Sequence, residues 1–195
     1  MLDPQIVADL AVQCAPGVAP ATLLAVARAE SDLDPLAIGV NGARARRPQP
    51  STAAEAAAAA RSLAAAGRDI DLGLAQINVR NLARLGLSIE AAFDPCRNLA
   101  AAAVVLREGY ARGRARHGPG QAALRVALSV YNTGHAERGF ANGYVARVIA
   151  KAGTRLPANS TPPPAPQPQP PAWDVFGRAA SPSPRLVISV SGATP

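Results

Sequence analysis

The sequence predicts an all-α domain followed by a proline-rich tail, and three observations carry that expectation. Of its 195 residues, 49% are hydrophobic but only 4% aromatic, so the apolar content is dominated by alanine, which favours helix and close packing over sheet. Apolar residues recur at helical spacing between Ser, Thr or Asp caps and Gly or Pro stops. From Pro157 to Pro171 the chain is instead proline-rich and predicted to be extended or polyproline II. A globular part of about 150 residues would bury roughly 70% of its unfolded-chain surface, enough for one core.

Taken in order, Asp3 and Pro4 read as an N-cap and first helical position, and Ile6, Val7, Leu10 and Ala11 continue that helix to about Cys14. Pro16, Gly17 and Pro20 break it. ATLLAVARAES restarts a second helix, with Leu23, Val26, Ala27 and Glu30 on one face, so this helix ends in a carboxylate. Asp32 to Ser51 contains Pro35, Gly39, Asn41, Gly42, Pro48 and Pro50 and is expected to be a long surface loop. Thr52 and Glu55 form a capping-box signature before a third, alanine-rich helix that stops at Gly67.

GLAQINVRNLARLG reads as a turn entering a short helix closed by Gly86, with Ser88 capping another brief turn. Asp94 and Pro95 cap the helix CRNLAAAAVVLREGYAR, after which GRARHGPG is expected to loop. QAALRVALSVYN should be helical to Tyr131, and the loop NTGHAERGF leads to a last helix around NGYVARVIAKAG. The division is therefore a helical domain over 1–153 and a tail over 154–195. In that tail Trp173, Phe176 and RLVISVS are too little chain to fold alone; they are expected to be disordered, or held by a partner through an added strand or docked aromatics.

A net charge of +7 attracts polyanions, but the arginines lie among alanines without aromatic interleaving, so no nucleic-acid groove is expected. Cys14 and Cys96 lack the paired spacing of a metal knuckle, and neither a metal nor a cofactor is expected. They are either two small buried apolar residues or one disulfide. No uncharged apolar run reaches about 18 to 20 residues, so no transmembrane helix is predicted. The start, MLDPQIVADLAVQC, has neither a basic n-region nor a continuous apolar core, and no signal peptide is visible in it.

A carboxylate ending a helix meets the negative pole of the macrodipole, and the face it shares with Leu23 and Val26 is apolar. Both effects favour its protonated form, which suits a general acid. The structural alternative is a solvated glutamate at a frayed end, and that reading is favoured on this feature alone. Order along the chain changes the balance. ARAESDLDP at 27–35, GLAQIN at 73–78, SVYNTG at 129–134 and FANGYVARV at 140–148 resemble, in sequence, four motifs of the lysozyme-like lytic transglycosylases. Together with FDPCRNLAAAAVVL they most resemble the VirB-type transglycosylases of type IV secretion systems.

The resemblance, which covers roughly residues 3–153, implies a goose-lysozyme-type helical fold and cleavage of peptidoglycan glycan strands in the periplasm. In it Glu30 protonates the leaving oxygen and takes up the proton of the substrate's own C6 hydroxyl, giving a 1,6-anhydro product without a second carboxylate. The matching positions imply substrate contacts from Gln76, Asn78, Tyr131 and Asn132, with Ser31 orienting Glu30. Structurally, Gln76 and Asn78 could instead cap a turn, Tyr131 fill the core, and Asn132 or Ser31 end its helix.

An exported location favours the disulfide reading of Cys14 and Cys96. It also makes secretion-system components the expected partners of the tail. One departure from the family pattern is Gly39, with Asn41 nearby, where many members place a serine against an N-acetyl group. Another is the length of the stretch from Leu36 to Leu72. A second carboxylate would point to hydrolysis; Asp69 or Asp71, just before the GLAQIN turn, could approach the cleft, but a surface turn role is favoured for both, with Asp94 read as a cap and His117 and His135 as solvated. The rival functions are a lysozyme-type hydrolase of the same bond and a non-catalytic wall-binding assembly module.

Overall fold

Caps and stops act where the sequence places them. In the computed structural model, which describes residues 1–42 and 48–153, Asp3 accepts a hydrogen bond from the Gln5 N–H and opens α1 (Pro4–Cys14). Pro20 starts α2 (Pro20–Glu30), whose Leu23 to Ala27 are all buried. Thr52 caps α3 (Ala53–Ala65) through the Glu55 N–H, while the Glu55 carboxylate accepts from the N–H and hydroxyl of Ser51. The tail spacer, Trp173, Phe176 and RLVISVS lie outside the described residues.

The expected loop after Asp32 is a correction. It carries strand β1 (Ile38–Val40), and the segment before the GLAQIN turn carries β2 (Ile70–Leu72), paired antiparallel with Gly39 opposite Asp71. A third strand, β3 (Ile77–Asn78), pairs antiparallel with β2, so the expected short helix is a hairpin followed by a 3₁₀ turn at Val79–Asn81. Ile38, Ile70, Leu72 and Ile77 face the core, which explains why so short a sheet forms: its inner face buries branched side chains against the helices. The domain is mostly helical, with seven helices among the described residues, rather than wholly so.

Asp94 caps α4 (Pro95–His117), which runs through the expected GRARH loop. Gly109 and Gly113 do not break it, because they are points of close approach. A Cβ at Gly113 would lie 2.7 Å from the Ala123 carbonyl oxygen, and one at Gly109 would lie 3.0 Å from the Ala127 Cα. These contacts seat α5 (Gln121–Thr133) along α4. The short α6 (Arg138–Ala141) and α7 (Tyr144–Ala152) follow, and α7 packs on α2. Cys14 and Cys96 are bonded, with Cα atoms 5.4 Å apart, tying the end of α1 to the start of α4.

Candidate active site

Glu30 is the last residue of α2, and the packing of α7 against that helix brings the buried Tyr144 to it. The Tyr144 hydroxyl donates to Glu30 Oε1 at 2.6 Å, and the Arg147 guanidinium stands 5.2 Å from the centre of the Tyr144 ring. Burial pushes the Glu30 carboxyl up to about 7; the Tyr144 hydrogen bond and the Arg147 charge oppose that shift, and the negative charge of Asp71 adds to it. Burial and the Glu30 charge hold the Tyr144 phenol well above its ordinary range, so it remains a donor.

Facing Glu30 is the hairpin, held by a residue whose role the sequence does not announce. Asn98 of α4 is fully buried; its Oδ1 accepts from the Ala75 N–H, and its Nδ2 donates to the carbonyls of Leu72 and Ala92. Gly73, at φ 75°, lies so close that a Cβ would run into the Ala92 carbonyl and the Asn98 amide. The turn then drives Gln76 to φ 50°, a conformation that costs a non-glycine residue on the order of 1 kcal/mol or more. In that conformation Gln76 Nε2 donates to the carbonyls of Gly73 and Ala37, and its Oε1 is left towards Gly39.

Asp71 is on the same wall, half-buried and lining the cleft, not a surface turn residue. The Asn78 amide bridges it to Asp69, donating to Asp69 Oδ1 at 2.7 Å and Asp71 Oδ1 at 2.8 Å, and Asn41 Nδ2 donates to Asp71 Oδ2 at 2.8 Å. Burial, with a smaller contribution from Asp69, raises the Asp71 carboxyl, while the two amide donors pull it back. Between the walls is a cleft of about 780 Å³ that includes Glu30, Gly39, Asp71, Gln76, Tyr131 and Asn132 among its lining residues. A second concavity, of about 670 Å³ over Val18, Leu106, Tyr110 and Leu124, shares no lining residue with it and contains no carboxylate.

The sequence that builds this cleft has counterparts among known proteins. The model of a family described as Transglycosylase SLT domain matches residues 10–152. The chain belongs to the transglycosylase SLT domain family. Its relatives include proteins named "Protein virB1" from Rhizobium radiobacter, 42% identical over 79% of this chain and 64% of theirs, and from Agrobacterium fabrum, 38% identical over 87% and 69%. A "Type IV secretion system protein virB1" of Brucella abortus is 43% identical over 73% of this chain and 62% of its own. The match to the first of these relatives spans just under two thirds of its length. No solved structure gives a significant match.

Within this SLT domain the residues singled out in the sequence have unequal places. Glu30, Gln76, Asn78, Tyr131 and Asn132 line the one cleft. Tyr131, half-buried, donates to the Ala75 carbonyl at 2.6 Å, and Asn132 Oδ1 accepts from Asn142, which turns part of each side chain towards structure. Asn78 gives both amide hydrogens to the two aspartates and its oxygen to the Arg80 N–H. Ser31 donates to the Leu74 carbonyl at 2.6 Å, tying the end of α2 to the hairpin instead of bonding Glu30. His117 and His135 are exposed. Tyr144 and Asp71 complete the site; Tyr144 was visible within NGYV, but only the packing of α7 on α2 aims its hydroxyl.

Proposed function

We propose that this chain is a peptidoglycan lytic transglycosylase that cleaves the β-1,4 bond between N-acetylmuramic acid and N-acetylglucosamine in the periplasm. The observation that carries the reading is one carboxyl group, held protonated up to about pH 7 by burial, at the side of an open polar cleft. Glu30 gives its proton to the leaving O4 as the C1–O4 bond breaks. The C6 hydroxyl of the same muramyl unit then attacks C1 and returns its proton to Glu30, so the acid is regenerated and a 1,6-anhydro end forms. Gln76 Oε1 and the Asn132 amide supply an acceptor and a donor for the sugar's polar groups as positive charge develops in the ring.

The names of the relatives support a place in type IV secretion, where local wall cleavage would open a path for the assembling machine. The tail over 154–195 is then a tether for envelope secretion components and takes no part in bond cleavage. The test is Glu30→Gln, which keeps size and hydrogen bonding but removes the proton. Anhydro ends released from purified peptidoglycan should fall about 10³-fold, the middle of the range for loss of a general acid and base, with the fold retained by circular dichroism. A variant as active as the parent would sink the assignment, and a parent with no lytic activity would leave the non-catalytic wall-binding reading.

A further inference from the structure

Three arginines line the cleft, and two of them are already engaged. Arg84 is paired with Glu108, and Arg147 stands over the Tyr144 ring, whereas the exposed Arg112 has no ion-pair or hydrogen-bond partner among the described residues. Its place follows from the seam between α4 and α5. A Cβ at Gly109 would meet Ala127 and Val130, and one at Gly113 would meet Ala123 and Val126, so numbers rise along α4 as they fall along α5. Val105, Glu108 and Arg112 are the cleft-facing stripe of α4, and Arg112 is at the end of that stripe away from Tyr131 and the hairpin it bonds. One turn further on, Arg116 and Val126 line a neighbouring concavity of about 610 Å³ together with Arg125 and Phe140. Arg116 is held by Glu137, but Arg125 has no partner among the described residues and Phe140 is 46% exposed.

We propose that the peptide stem of the glycan strand binds along this seam, with Arg112 taking one of its carboxylates where the seam leaves the cleft and Arg125 another beside Phe140. The proposal rests on the glycan-cleaving reading of the same cleft and makes peptide-bearing strands its preferred substrate. A chain of N-acetylated sugars offers a guanidinium no counter-charge. The anions of a peptidoglycan strand are instead the carboxylates of the peptide that hangs from the muramyl lactyl ether, and a guanidinium suits a carboxylate in charge and in shape. The lengths agree as well. From Val105 to Arg116 the helix rises about 16 Å, which an extended peptide of about five residues spans at roughly 3.3 to 3.6 Å each. The apolar surface of Val126 and Phe140 then meets the stem's aliphatic side chains.

The experiment measures kcat/KM of the full chain for cleavage of three soluble glycan strands: stems intact, stems removed by an amidase, and stems present with their carboxylates converted to amides. The parent should favour the intact strand over both others at least tenfold. Arg112→Ala should lower that preference at least fivefold, mainly through KM, and Arg125→Ala should lower it by less. Arg112→Lys keeps the charge and should retain most of the preference. Stripped strands keep a lactyl carboxylate on the sugar, so an equal fall on all three strands in Arg112→Ala would assign Arg112 to the sugar and overturn the proposal. So would a parent that cuts the stripped or the amidated strand as well as the intact one, or an Arg112→Ala chain with the parent's preference; cleavage in these cases leaves the glycan-cleaving reading standing. A parent that cuts none of the three overturns both.

Discussion

The two walls of the cleft handle the same chemical group in opposite ways. On the helical wall Glu30 is packed at the end of α2, with Tyr144 as its one hydrogen-bond donor among the described residues, and burial dominates its proton affinity. On the sheet wall Asp71 also feels burial, but two side-chain amides are spent on its oxygens. The lesson is that position in a cleft does not assign a carboxyl its role. Burial raises both carboxyls, and the donors oppose it: one hydroxyl leaves Glu30 pushed up to about 7, whereas two amides pull back against the burial of Asp71 without reversing it.

The scaffold behind each wall differs as well, and the largest expected effect tests it. The Cys14–Cys96 bond braces α1, on which α2 packs, and closes 82 residues of chain. Replacing both cysteines by serine should lower unfolding free energy by about 4 to 5 kcal/mol on the entropic model. Urea titration would measure this, and a loss below about 1 kcal/mol would mean that helix packing alone holds the brace. The sheet wall hangs instead on Asn98 and its three hydrogen bonds, which involve neither sulfur.

A second effect, of about 3 kcal/mol at most, separates the walls by pH. The folded chain holds the Glu30 proton up to about 7, against 4.5 for an ordinary glutamate, so ionisation of this group opposes folding. Its favourable contribution is complete below about 4.5 and is lost as pH rises through about 7. Glu30→Gln has no such loss. It should therefore match the parent's stability near pH 4 and exceed it at pH 8 by up to about 3 kcal/mol, the equivalent of that shift. Denaturant melts at the two pH values would decide; an equal difference at both would mean that Glu30 is not held protonated.

Most of the helical wall was legible in the sequence because its signals are local. Asp3 with Pro4, Thr52 with Glu55, and Asp94 with Pro95 each announce a helix within four residues, and all three helices begin there. The sheet wall was not legible. Strands of three, three and two residues are too short to display alternation, and the paired residues of β1 and β2 are 30 to 34 positions apart. Gly113 misled for a related reason: a glycine that lets a helix approach looks, in one dimension, like one that ends it. Asn98 and Asp71 lie within or beside segments that carry the resemblance, but nothing local announces their roles, which come from what the fold brings to them.

The smallest effect is the most discriminating, because the two walls should move it in opposite directions. Three groups act on Glu30 besides burial: the Tyr144 hydroxyl and the Arg147 guanidinium lower its pKa, and the Asp71 carboxylate raises it. Activity that needs protonated Glu30 falls as pH rises through about 7, so the alkaline limb of the rate profile reports this balance. Tyr144→Phe removes a hydrogen bond that favours the charged form, and the limb should shift to higher pH even as the maximal rate drops through poorer positioning. Asp71→Asn removes a repelling charge while keeping the shape, and the limb should shift to lower pH. Both are read from kcat/KM for release of anhydro ends across pH 5 to 9, with Arg147 left in place. If the two limbs move the same way, the groups do not act on Glu30 through its proton, and the contrast between the walls is one of shape alone.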